Sequence, residues 1–191
     1  MKKIKEAETV KLLLEKLEPL VTSLPNLFKW MDETKARIKG SIILQCWHNE
    51  FLTGTDVDFS LDEVPSEEMI SETRLTQVFR GKVTTVSPIL NYTPTTLNSI
   101  YIGDQVEIVW NGRMDDDDAF SYQFVQNYWK PPSSGSLVVK YPDCVQEKRG
   151  TIEWYEEILY RVKKGQSVEY AVDKICSRIV KYQDRGYKLS W

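Results

Sequence analysis

The hydrophobic period of this chain changes twice, and that change constrains the fold more than any single motif. Apolar residues recur at helical spacing at both ends, and give way to short strand-like runs between about Gly40 and Tyr141. Near the start, Val10, Leu13, Leu14, Leu17 and Leu20 line one face of a helix expected over 5–20, with Pro19 near its end. Asn26 is read as the cap of a second helix running to about Ile38. Leu27, Trp30 and Met31 share its face, and Gly40 stops it. At the far end, Tyr155, Ile158, Leu159 and Val162 make one stripe, and Gly165 ends that helix. Ser167 caps the next, whose buried face is Val168, Ala171, Val172, Ile175, Ile179 and Tyr182, with Gly186 closing it. So short a joint makes the tail an αα-hairpin.

Between the helical ends the sequence reads as strands. A hairpin is expected from 41–47 and 51–57 across the His-Asn-Glu joint, and a second from 74–79 and 82–86 around Arg80-Gly81. Further strands are expected at 99–102 and 105–110 around Gly103-Asp104, at 120–126, and at 136–141. The stretches 60–72, 87–98 and 129–136 carry proline, threonine, serine or acidic residues and read as loops. The fold class that follows is α+β: a mostly antiparallel sheet with helices at the N-terminus and a C-terminal αα-hairpin. Nothing suggests a repeat or a long linker. The chain is therefore read as one domain over 1–191, with helices in 1–39, the sheet in 40–142 and the hairpin in 150–186.

Charge is unevenly distributed. The net charge of −3 argues against a simple counterion-releasing nucleic-acid binder. From Lys148 onward, however, ten Lys or Arg face six Asp or Glu, so the tail is basic and the body acidic. Seven acidic residues and no basic one lie between Asp56 and Glu72. On the last helix Lys174, Arg178, Lys181 and Arg185 recur at intervals of four, three and four, which aligns them in one stripe. That stripe, with Tyr187 and Trp191 available to stack, is the candidate surface for RNA or a partner. The commoner explanation of such a stripe is a solvated helix face.

Catalytic signatures are scarce. His48 is the one histidine, so a multi-histidine metal site is out of reach. Cys46 and His48 stand two apart on an expected strand and would point the same way, as nucleophile and base or as ligands sharing a metal with carboxylates. A core cysteine beside a strand-end histidine is the favoured reading. Cys46, Cys144 and Cys176 form no Cys-x-x-Cys pair and are read as reduced thiols. Asp115–Asp118 lacks the alternation and the glycine of a calcium loop and reads as solvated. Glu153, Glu156 and Glu157 also read as a wet helix face. No metal or cofactor is expected. The N-terminus lacks an apolar run behind its lysines, and no segment is long enough to span a membrane, so the expectation is a cytoplasmic protein.

Five pieces, taken in order, carry a resemblance: IILQCWHNEFLTG (42–54), ETRLTQVFRGKVTTV (72–86), QVEIVWNG (105–112), DAFSYQFVQ (118–126) and SLVVKYPDCVQEKRGTIEWYEEILYRV (136–162). Together they resemble the small accessory subunit of subtype III-D CRISPR effector complexes. The matching positions are Trp47, Arg74, Leu75, Phe79, Trp110, Lys140, Tyr141, Gly150 and Arg161. Asn111 departs from the family's Trp-Gly pair. The resemblance implies a non-catalytic subunit for antiviral defence that packs against larger RNA-binding subunits, meeting guide RNA indirectly or through the basic tail. It carries no active site. The competing readings are a stand-alone hydrolase or ligand-binding protein using Cys46 and His48, and a protein inhibitor of a nucleic-acid enzyme.

Overall fold

The computed structural model describes residues 2–61, 63–85, 98–110, 122–131, 137–163 and 165–191. Two helices open the chain, α1 (Lys2–Leu17) and α2 (Leu24–Thr34), joined through a 3-10 turn at Glu18–Leu20. Ser23, not Asn26, caps α2, its hydroxyl accepting from the Asn26 amide. Lys35 ends that helix in the left-handed region (φ 57°), and Ala36–Lys39 becomes a strand, β1, where the second helix was expected to continue.

The expected hairpin of 41–57 is replaced by α3 (Ser41–His48), followed by β2 (Val57–Leu61). The run Ile42–Trp47 is buried throughout, so a sequence apolar but for Gln45, which suits a core strand, folds here as a core helix. The second expected hairpin is likewise helix then strand, α4 (Glu72–Val78) and β3 (Val83–Thr85). Ser71 caps α4 by accepting from the Arg74 amide. The hairpin around Gly103-Asp104 stands, as β4 (Asn98–Ile102) and β5 (Val106–Trp110). Of the strand expected at 120–126, the described part is a 3-10 turn, Gln123–Val125.

The remaining strands are β6 (Asn127–Trp129), β7 (Leu137–Val139), β8 (Arg149–Thr151) and β9 (Lys188–Ser190); α5 (Pro142–Glu147), α6 (Trp154–Lys163) and α7 (Val168–Asp184) are the other helices. The large sheet has the order β3-β4-β5-β2-β1-β6-β7. Its pairs are antiparallel except β2 with β5. The α+β class with helices at both ends therefore holds. Among the described residues no helix is long and apolar enough to cross a membrane.

Strand alternation gives the sheet two unlike faces. Val57, Phe59, Leu61, Val106, Ile108 and Trp110 point into the core. There Trp30, Phe59 and Phe79 meet edge to face, with centroids 5.3–5.8 Å apart. The other face of β2 and β5 carries Asp58, Ser60, Glu107 and Val109, and it lines a cavity together with α6 and α7. The αα-hairpin is fastened by β9, which pairs with β8, and by an aromatic cluster of Phe124, Tyr182 and Tyr187. Gly150 lets β8 approach that cluster, since a Cβ there would sit 2.7 Å from the Phe124 ring.

Candidate functional site

A cavity of about 490 Å³ opens between the polar face of the sheet and the αα-hairpin. Its sheet side is acidic. Asp58 and Glu107 are direct register partners in the parallel pair of β2 and β5. Asp56 lies two residues before Asp58, hence toward the same side of an extended chain. Burial, then Glu107 and Asp56, push the Asp58 carboxyl up to about 7. Among the described residues no three His, Cys, Asp or Glu converge as a ready-made metal cluster. The three carboxylates share a field, not a single ligand point.

Local sequence sets this wall in place. Gly40, between β1 and α3, adopts φ 92°, and a Cβ there would come 2.7 Å from Asp58 Oδ2. A glycine is needed both for the turn and for the space beside the carboxylate. Ser41 begins α3 at the cavity wall. Gln45, one turn on, donates to the Ser41 hydroxyl, while its Oε1 accepts from the Leu52 amide and the Thr55 hydroxyl, each at 3.0 Å. This buried amide pins the loop that delivers Asp56 to the mouth of β2.

The opposite wall is basic. Arg178, Lys181 and Arg185 of α7 line the cavity. Neighbouring Arg185 and Arg178, together with desolvation as the larger cause, hold the Lys181 ammonium below its ordinary range. The Arg178 guanidinium lies 5.6 Å from the Tyr122 ring centroid. Burial pushes the Tyr122 phenol up to about 12, so it stays neutral at any physiological pH. Beneath Arg178, Glu157 of α6 is buried, accepting from Arg161 Nε at 3.0 Å.

The candidate residues of the stripe divide accordingly. Arg178, Lys181 and Arg185 meet at the cavity; Lys174 lies away from its lining, near the Tyr170 ring. Tyr187 is buried against Phe124 and Tyr182, which corrects the expectation that it could stack on a ligand. Trp191 is exposed and outside the cavity lining. The stripe expected on α6 holds only in part: Ile158 packs against the core and Leu159 is half-buried, but Tyr155 and Val162 are exposed, whereas Glu157 and Arg161 are buried. Asp115–Asp118 lies outside the described residues.

Cys46 and His48 are not a catalytic pair. Both lie on α3, where residues two apart do not share a face. Burial pushes the Cys46 thiol up to about 12, the opposite of nucleophile activation. His48 Nε2 donates to the Val145 carbonyl at 2.8 Å, and desolvation lowers its pKa. Cys46 is a core residue, as the favoured reading had it.

No family model and no curated protein matches the chain. Solved structures do resemble it. A CCA-adding enzyme in complex with ATP superposes with a TM-score of 0.54 at 10% identity, covering 86% of this chain and 37% of that one. A tRNA-processing enzyme in an apo form is similar at a TM-score of 0.47 and 14% identity, covering 72% of this chain and 37% of its own. This chain thus spans little more than a third of the length of either enzyme. The first likeness establishes the fold alone, one that this chain shares with part of an enzyme. The expectation of a non-catalytic CRISPR accessory subunit, and with it the expectation of no enzyme, is corrected on that ground.

Sequence reasoning missed Gly40, Ser41, Asp56, Asp58, Glu107 and Glu157. A Gly-Ser opening a helix, followed by an Asp-x-Asp at the start of a strand, was the legible signal for the first four. Reading 41–47 as a strand concealed it. Glu107 depends on the parallel register, which no local pattern announces.

Proposed function

We propose that this chain is a nucleotidyltransferase, binding a nucleoside triphosphate in the cavity and passing its nucleotidyl group to an acceptor hydroxyl. The observation that carries the reading is the division of the cavity into an acidic sheet wall and a basic helix wall. A metal-bound nucleoside triphosphate is itself divided in this way, into cation and polyanion. The fold likeness to a CCA-adding enzyme solved with ATP supports the same reading.

The residues present fit a divalent cation. Asp58 and Glu107 stand opposite each other on parallel strands with Asp56 beside them, burial first and then these two carboxylates raise the Asp58 pKa, and Gly40 places no Cβ against Asp58 Oδ2. When bound by these carboxylates, a divalent cation supplies positive charge at the reacting phosphate. Arg178, Lys181 and Arg185 bind the phosphate chain through charge-assisted hydrogen bonds. The first turn of α3 adds backbone N–H groups and the positive end of the helix dipole beside Ser41. Transfer forms a bond from the acceptor oxygen to the α-phosphorus and breaks the bridging bond to the β-phosphate. Pyrophosphate leaves and the acceptor proton passes to solvent.

The test is to incubate the chain with Mg²⁺ and each α-labelled nucleoside triphosphate, offering total RNA and total protein as acceptors. Pyrophosphate release with a labelled product, absent in Asp58→Asn, is expected. Equal yields from wild type and Asp58→Asn would remove the reading.

A further inference from the structure

Glu157 is a buried carboxylate that the transferase reading does not itself use. Its side chain is 2% exposed, and its Oε1 accepts from Arg161 Nε at 3.0 Å and lies 3.8 Å from Arg178 Nη1. Arg161 is braced in turn, donating from Nη1 to Gln166 Oε1 at 3.2 Å. The carboxylate therefore ties α6, the joint after it, and α7 into one polar cluster. Arg178 differs from its neighbours in the cluster. Its side chain is 44% exposed, yet it is held by Glu157 on one side and by the face of Tyr122 on another.

We infer that Glu157 is a positioning residue that fixes Arg178 toward the cavity for a phosphate chain. The inference rests on the nucleotide reading given above. An arginine left to sample its rotamers loses that freedom when it closes on a phosphate, whereas one already held does not. The carboxylate also keeps the two neighbouring guanidiniums of Arg161 and Arg178 from repelling each other. A field argument makes the opposite prediction. Glu157 is a negative charge beside an anion site, so its neutralisation should tighten the binding of an anion.

Glu157→Gln, which keeps the shape and loses the charge, separates the two. Affinity for Mg·ATP is measured by calorimetry, and the Arg178 Nε–H resonance is followed by NMR without nucleotide. A positioning role requires that the variant bind Mg·ATP roughly tenfold more weakly and that the Arg178 signal broaden or exchange faster. In an Arg178→Ala background the effect of Glu157→Gln on affinity should vanish. Tighter or unchanged binding, or an unaltered Arg178 signal, overturns the inference. Should Glu157→Gln fail to fold, Glu157→Asp carries the test. It keeps the charge and shortens the reach to Arg178, so positioning requires weaker binding with a broader Arg178 signal, and the field argument requires neither. Failure of the wild type to bind Mg·ATP removes the transferase reading, whereas normal binding with an indifferent Arg178 signal removes only the role of Glu157.

Discussion

The two walls of the cavity are built from different materials. The acidic wall sits on the sheet, where Asp58 and Glu107 are fixed by strand register and by the glycine beside them. The basic wall sits on α7, where long side chains reach from a helix whose other face is held by Ala171, Ile175, Ile179 and Tyr182. Short carboxylates on paired strands have little freedom, so they suit the place where geometry decides a rate. Arginine and lysine on a helix have more, and suit the task of gathering a flexible polyanion. Damage to the sheet wall should therefore strike turnover, and damage to the helix wall should strike affinity.

That contrast can be broken at several points. Asp58→Asn should lower nucleotidyl transfer by about a thousandfold or more while leaving nucleotide affinity within a few-fold, read from initial rates of pyrophosphate release. Arg178→Ala or Lys181→Ala should raise KM for the nucleotide by about tenfold to a hundredfold with a smaller change in kcat. If the helix-wall variants lose turnover and keep KM, the division of labour is wrong.

The sheet wall should also show itself in stability. Asp58 holds its proton more tightly folded, titrating at about 7 against 3.8 for the ordinary carboxyl. A raised carboxyl costs the folded state stability that is lost as pH climbs from the unfolded to the folded pKa and stays lost above it. The metal-free protein should therefore lose stability as pH rises from about 4 to about 7, by a few kcal/mol. In Asp58→Asn this part of the pH dependence should disappear from denaturant titrations, and Mg²⁺ should stabilise the wild type more at pH 8 than at pH 5. Gly40→Ala should cost about 1–2 kcal/mol from the positive φ alone, and should lower transfer further by crowding Asp58. The smallest functional effect belongs to Cys46→Ala. Stability should fall by about 1 kcal/mol and turnover stay unchanged, since the thiol is a core group.

What the sequence revealed follows the range of the interactions involved. The tail was largely legible because its signals are local: Ser167 does cap α7, Gly186 does follow it with φ 89°, and Ala171, Ile175, Ile179 and Tyr182 are its buried face, although Val168, expected there, is exposed at the helix start. The Gly103-Asp104 hairpin was legible for the same reason. Ile42–Trp47 was not, because a helix buried on all sides has no polar face to give it a period. That one misreading turned Gly40 from the start of a helix into the end of another, and left Asp56 at the end of an expected strand with Asp58 just beyond it. α6 was misread the other way. Its apolar residues Tyr155 and Val162 face outward because the cavity claims its polar side, Glu157 and Arg161. The basic residues of the cavity's helix wall were found by their spacing, without the acidic wall that they face.

The most direct test places Mn²⁺·ATP on the protein and reads paramagnetic broadening of its backbone amide resonances by NMR. The account requires the strongest broadening around Asp56, Asp58 and Glu107, weaker broadening along α7 near Arg178 and Lys181, and a clear weakening of the first in Asp58→Asn. Broadening centred elsewhere, or persisting undiminished at β2 in Asp58→Asn, would contradict it.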